Sequence, residues 1–203
     1  MTANRDDRDR LAPARAPRSR LRRLLRSKDG AAAIEFALLA IPYFVIVFAI
    51  IETFVAYTAE QLVGYAADKL ARQLRTGEIT YNLGLSTDKN EAQFRQLFCD
   101  EIAILISCAA SPGSLWIDVK SYTSFANLPT AIPRKDPNDP HSELDTAGFT
   151  FTPGGAGSIN MVRAFYQWQV VTDLVRPLVS TSSQSNTFLI TALSAFRNEA
   201  YAP

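Results

Sequence analysis

Residues 28–54 read KDGAAAIEFALLAIPYFVIVFAIIETF, an apolar run entered by a single carboxylate, Glu35. Residues 36–51 carry no charge at all. A helix over residues 31–57, rising ~1.5 Å per residue, is about 40 Å long and suffices to cross a hydrocarbon layer of ~30 Å. A secretory signal has a shorter apolar core, about 7–15 residues, and ends at a small-residue cleavage site. No such site precedes a change of composition here. The reading is a membrane-spanning helix, with a cleaved secretory signal and a buried soluble helix as its alternatives. Pro42 removes one backbone donor and would kink the helix, a defect that membrane helices tolerate.

The flanks differ in charge. Over 203 residues the formal net charge is only +1, but residues 1–30 hold ten Lys/Arg against four Asp/Glu, and the remainder holds eleven against sixteen. Arg15, Arg18, Arg20, Arg22, Arg23, Arg26 and Lys28 crowd the N-terminal flank, whereas Lys69 is the first cation after the span. Cations stay on the cytoplasmic side. The expected arrangement is therefore a basic cytoplasmic leader over residues 1–30, a transmembrane helix over 31–57 and an extracytoplasmic domain over 58–203. A basic head can also serve as a nucleic-acid arm. Directly before an apolar span it reads as an orientation signal, and no nucleic-acid partner is expected.

Beyond the span the helical period continues. Leu62, Ala66, Leu70 and Leu74 recur every four residues, with Val63 and Ala67 beside them and Glu60, Asp68, Lys69, Arg72 and Arg75 opposite. That amphipathic pattern predicts one helix to about Thr76, stopped by Gly77; two helices broken near Thr58 are the alternative. A second helix is expected to open at Asp88, with Glu91 reaching back to it, and to show a stripe of Phe94, Leu97, Phe98, Ile102 and Leu105. Three alternating runs then suggest strands on one antiparallel sheet: Leu115, Ile117 and Val119; Val162, Ala164, Tyr166, Trp168 and Val170; Phe188, Ile190, Ala192 and Phe196. Pro129, Pro133, Pro137 and Pro140 mark a polar surface loop between the first two runs. Residues 180–186 form a second flexible connection. The predicted fold class is α+β: a long N-terminal transmembrane helix continuing into a domain whose small antiparallel sheet packs on helices.

Cys99 and Cys108 are the only cysteines, and an exported domain is where disulfides persist. Nine helical steps would part their Cα atoms by ~13.5 Å, beyond the ~7 Å a bridge allows. A bridge thus requires the helix to end or bend between them, near the turn residues Ser111, Pro112 and Gly113. Two buried thiols are the alternative.

Catalytic patterns are weak. His141 is the single histidine and has no nearby cysteine. Ser86-Thr87-Asp88-Lys89 fits S-x-x-K, but neither S-D-N nor K-T-G occurs. Gly154, Gly155 and Gly157 lack the spacing and the Lys-Ser/Thr of a phosphate loop, and read as a tight turn before Ile159. No enzymatic activity, cofactor or metal is expected.

Glu35 remains to be explained. A carboxylate at mid-membrane costs about 2.5–3.5 kcal/mol on insertion scales, and less toward the edge, where Glu35 could face headgroup water. Gly30 is followed by Ala31, Ala32, Ala33 and Ile34 and then by Glu35-Phe36. This order resembles the processing signal of pilin-like proteins in the tight-adherence (Tad, or Flp) pilus system. The stretch AAAIEFALLAIPYFVIVFAIIE, including its proline and Glu52, is similar to the N-terminal helix of the TadE-like minor pseudopilins. The cysteine pair and the ending FRNEAY resemble later landmarks of that family.

The resemblance implies a pilin-like domain and cleavage by a prepilin peptidase between Gly30 and Ala31, with Glu35 and Phe36 serving recognition and subunit register. It implies a single-pass protein of the bacterial inner membrane, N-terminus cytoplasmic and C-terminal domain periplasmic, acting in initiation or capping of an adhesive fibre. Partners would be other pilin-like subunits, the peptidase, the inner-membrane assembly platform and membrane lipid. Small residues, Ala31, Ala32, Ala33, Ala37 and Ala40, would serve helix packing. The alternative function is an uncleaved single-span anchor presenting a periplasmic binding or scaffolding domain.

Overall fold

The computed structural model describes residues 28–108, 114–139, 141–170 and 187–201. The basic leader before Lys28, the turn at Ser111, Pro112 and Gly113, Pro140 and the connection over 180–186 lie outside the described residues. The chain divides into two units, the first reaching Ile46 and the second beginning at Val47.

Helix α1 runs Lys28–Thr76 without interruption, through Pro42 and through Thr58. It stops where predicted. Gly77 takes φ +80°, a left-handed conformation that a side chain would strain. The ring of Tyr201 also lies where a Cβ on Gly77 would stand.

Helix α2 spans Glu91–Ile102 and opens later than the sequence suggested. Asn90 caps it, accepting from the Gln93 backbone N–H at 2.9 Å, while the Asn90 N–H donates to Gln93 Oε1 at 3.0 Å. Asp88 does not cap α2 because its carboxylate is engaged upstream. It accepts from the backbone N–H groups of Leu83, Gly84 and Leu85 and from the Thr80 hydroxyl. Phe94, Phe98 and Ile102 form the buried stripe. Leu105 falls past the helix end and is exposed, and Ile106 is buried in its stead.

Strands β1 (Leu115–Tyr122), β2 (Phe151–Thr152), β3 (Ile159–Gln169) and β4 (Thr187–Arg197) form one sheet in the order β2-β1-β3-β4. The β1/β3 and β3/β4 pairs are antiparallel, as the alternation implied. The sheet is nevertheless mixed, because the two-residue β2 pairs parallel to β1. So short a strand has no period to read.

The sheet's inner face packs on α1 and α2. Its Leu115, Val119, Val162, Ala164, Ile190, Ala192 and Phe196 share one core with Ala59, Val63, Ala66, Leu70 and Leu74 of α1 and with Phe94, Phe98 and Ile102 of α2. Lys69 Nζ meets Glu101 Oε1 at 2.6 Å, linking the helices, and Arg95 donates to the Leu115 carbonyl at 2.6 Å, linking α2 to β1. The fold is α+β, as expected.

The outer face is covered as well. Asp118, Arg163 and Phe165 are buried. Phe149, at the end of the proline-rich segment, stacks on Phe165 at 5.4 Å, and the Arg163 guanidinium lies 5.7 Å from the Phe149 ring centre. Leu144 is buried too. The end of this segment therefore covers part of the second sheet face, while its described residues 123–143 stay at the surface, as expected.

Candidate processing and assembly site

The predicted site residues fall into two places. Gly30, Ala31, Glu35 and Phe36 lie at the start of α1, in the first unit; Cys99 and Cys108 lie in the second. Helix α1 begins at Lys28, so the Gly30–Ala31 bond belongs to its first turn. The N–H groups of a first turn have no partners within the helix. Glu35 stands one turn further along and is exposed, and Phe36 is 72% exposed. Among the described residues Glu35 has no hydrogen bond or ion pair.

No residue from Ala32 to Thr58 is buried, although Leu38, Leu39, Ile41, Phe44, Ile46, Phe48, Ile50 and Phe54 all lie in this stretch. The helix is apolar all round, which in water would hold a large apolar surface out of any core. By length and composition Ala32–Thr76 contains a candidate membrane span, near the N-terminus. At Ala59 the pattern changes, and Val63, Ala66, Ala67, Leu70, Ala71 and Leu74 turn one stripe to the core.

The cysteines form the expected bridge, with Cα atoms 5.7 Å apart. The geometric condition is met because α2 ends at Ile102, between them. Leu105 and Ile106 donate back to the Ile102 carbonyl as the chain turns. The bridge thus closes a nine-residue excursion whose tip is Ile104, 88% exposed.

The ending FRNEAY proves to be a tie between three elements. Phe196 enters the core, and Arg197 donates to the Gly157 carbonyl at 2.9 Å. The Asn198 amide donates to the carbonyls of Gly154 and Gly155 and contacts the Tyr201 hydroxyl. Glu199 N–H donates to the Arg75 carbonyl at the end of α1. Burial pushes the Tyr201 phenol up, against the opposing effect of its bond with Asn198. The three glycines form a turn that leads into β3, with Gly157 at φ +73°.

Sequence reasoning missed the pair Asp118 and Arg163. They stand directly opposite each other across β1 and β3, with Arg163 Nη2 2.5 Å from Asp118 Oδ2. Asp118 also accepts from the Thr150 N–H and meets Lys120 Nζ at 3.2 Å, so it fastens the cover to the sheet. Only the strand register reveals this contact. The four residues of the S-x-x-K match lie in the turn before α2. Hydrogen bonding from Thr80, with further bonds from Gly84, Leu85 and Leu83, holds Asp88 below the ordinary carboxyl value there. Among the described residues no group of three or more His, Cys, Asp or Glu could hold a metal ion.

Residues 30–72 match the family of TadE-like proteins. The TadE-like segment begins at Gly30, takes in Glu35 and the apolar length of α1, and ends within the amphipathic half, before α2 and the sheet. No curated protein and no solved structure matches the chain.

Proposed function

We propose that this chain is a minor pilin-like subunit of a Tad (Flp) pilus, acting in initiation or capping of the fibre and without catalytic activity. The observation that carries the proposal is the order Gly30, four apolar residues, Glu35-Phe36, at the start of an exposed apolar helix and inside the TadE-like segment. In this reading residues 31–57 cross the bacterial inner membrane, the basic leader stays cytoplasmic and the domain is periplasmic.

The chemistry follows from cleavage. A prepilin peptidase cutting between Gly30 and Ala31 removes the cations that hold the chain to the cytoplasm. It also creates an α-ammonium at Ala31, in apolar surroundings. Glu35 of one subunit would neutralise that ammonium on a neighbour. A carboxylate left unpaired in lipid is costly, and a paired one contributes more to correct axial register than to net stability. Cleavage would then license assembly, with the assembly platform drawing processed subunits from the membrane.

The test is to co-express the full chain with a cognate prepilin peptidase and to sequence the N-terminus of its membrane form. A terminus at Ala31 is expected. An intact Met1 terminus beside active peptidase overturns processing and leaves the uncleaved anchor with a periplasmic scaffolding domain. If Glu35→Gln is processed and still supports full pilus assembly, the register role of Glu35 fails.

A further inference from the structure

We propose that the second unit does not merely hang from its helix but beds one end in the outer interface of the bilayer, through Tyr57, Ile104, Leu105, Trp168 and Phe188. The inference rests on residues 31–57 being a membrane span, and it adds a lipid-contacting surface on the folded domain. If the span enters the membrane near residue 31, about 20 helical residues cross the hydrocarbon layer. The outer interface then meets α1 just beyond residue 51.

At that level the domain is already in contact with the helix. Glu52, Thr53, Ala56, Tyr57 and Glu60 of α1 form one wall of a groove whose other wall is Trp168 of β3, Val170 just past that strand and Phe188 of β4. Tyr57 is 59% exposed. Trp168 also borders a second depression, shared with Leu105, Tyr166 and Gln167. The disulfide holds Ile104 and Leu105 as a turn beside this end of the sheet, with Ile104 almost wholly exposed. Among the described residues neither depression is lined by a lysine or an arginine, and the charged side chains of the groove are Glu52 and Glu60.

Tryptophan and tyrosine favour the membrane–water interface, where the ring lies among acyl chains and the polar tip reaches headgroups. An aliphatic tip such as Ile104 gains by leaving water at the same depth. Lipid is the occupant favoured over a second copy because the groove is continuous with the span. The helix that forms its wall is the one whose preceding turns expose apolar side chains all round.

The chain's two tryptophans allow a direct measurement. Trp116 pairs with Phe165, three residues up β3 from Trp168, and alternation places it on the opposite sheet face. The full chain is reconstituted, at high dilution, into phosphatidylcholine vesicles brominated either near the headgroup or near the chain ends. In W116F, Trp168 should lose emission to shallow bromines more than to deep ones, and more than Trp116 does in W168F. Ile104→Glu, at a solvent-exposed position that spares the fold, should reduce the shallow quenching of Trp168.

If W116F stays inserted after alkaline extraction but Trp168 responds only to aqueous iodide, the proposal falls and the span stands. If the chain is extracted by alkali, the span fails and the proposal with it. Bromine-independent emission that changes as protein is diluted in lipid would mean that a second copy covers this end, which also overturns the proposal.

Discussion

The two halves of α1 are built for different surroundings. Below Thr58 isoleucine, leucine and phenylalanine point in every direction and none is buried; above it a stripe of Ala59, Val63, Ala66, Ala67, Leu70, Ala71 and Leu74 is buried while Glu60, Asp68, Arg72 and Arg75 face outward. The backbone is one helix throughout. An apolar surface on all sides is stable only where the medium itself is apolar, whereas one apolar stripe is satisfied by a sheet. The buried stripe is also rich in alanine, which lets the sheet approach the helix closely. The difference teaches that a single helix can pass from a stretch apolar on every side to one packed on protein by changing side chains rather than by breaking.

The sharpest way to break this comparison is to truncate one large side chain on each side of it. Phe98→Ala, in the domain core, should lower unfolding free energy by about 3–5 kcal/mol, because Phe98 is fully buried. Phe36→Ala should leave the domain's thermal transition unchanged in detergent. Equal destabilisation by both would mean that the lower half of α1 is supported by protein after all.

Next in size is the outer sheet face. Arg163→Ala strips the main partner from buried Asp118 and should cost about 3 kcal/mol, the lower end for a broken buried pair, since Lys120 and the Thr150 N–H remain beside it. Replacing Asp118 and Arg163 together by apolar residues should restore most of the loss in denaturant titrations. If the double variant is as unstable as the single one, the pair is not what holds the cover on the sheet. Opening the Cys99–Cys108 bridge, as in a Cys99→Ser/Cys108→Ser double variant, should cost about 2–3 kcal/mol for so short a loop. Melting under oxidising and reducing conditions measures it, and the wild-type chain alone should respond to reductant.

Much of this comparison was legible in the sequence because it rests on period. The continuous helix, its stop at Gly77 and the inner sheet face all follow from spacing, and the resemblance around Gly30 and Glu35 lies in consecutive residues. What was hidden depends on which residues meet across space. Alternation marked only one face of the sheet as packed, because nothing in the spacing says that Phe149 returns to cover Arg163 and Phe165 on the other. The cap of α2 was misplaced for a similar reason. Asp88 and Asn90 are both good caps, and only the demand of the Leu83, Gly84 and Leu85 amides on Asp88 leaves the role to Asn90.

The same contrast separates two carboxylates, and it yields the smallest effect. Glu35 has no hydrogen-bond or ion-pair partner among the described residues and, as proposed, awaits one on another subunit. Asp88 already has its partners within the fold, and the Thr80 hydroxyl, aided by the Gly84, Leu85 and Leu83 amides, holds its carboxyl below the ordinary value of 3.8. A carboxyl depressed on folding contributes stability that is fully present above the unfolded value. That stability is lost as pH falls through the lower folded value, because the unfolded chain takes up the proton first. The protection of the Leu83, Gly84 and Leu85 amides, corrected for intrinsic exchange, should therefore hold down to about pH 4 and weaken below it. Asp88→Asn should show weaker protection with no such acid dependence. If the wild-type amides exchange alike on both sides of that range, the carboxylate is not what orders the turn.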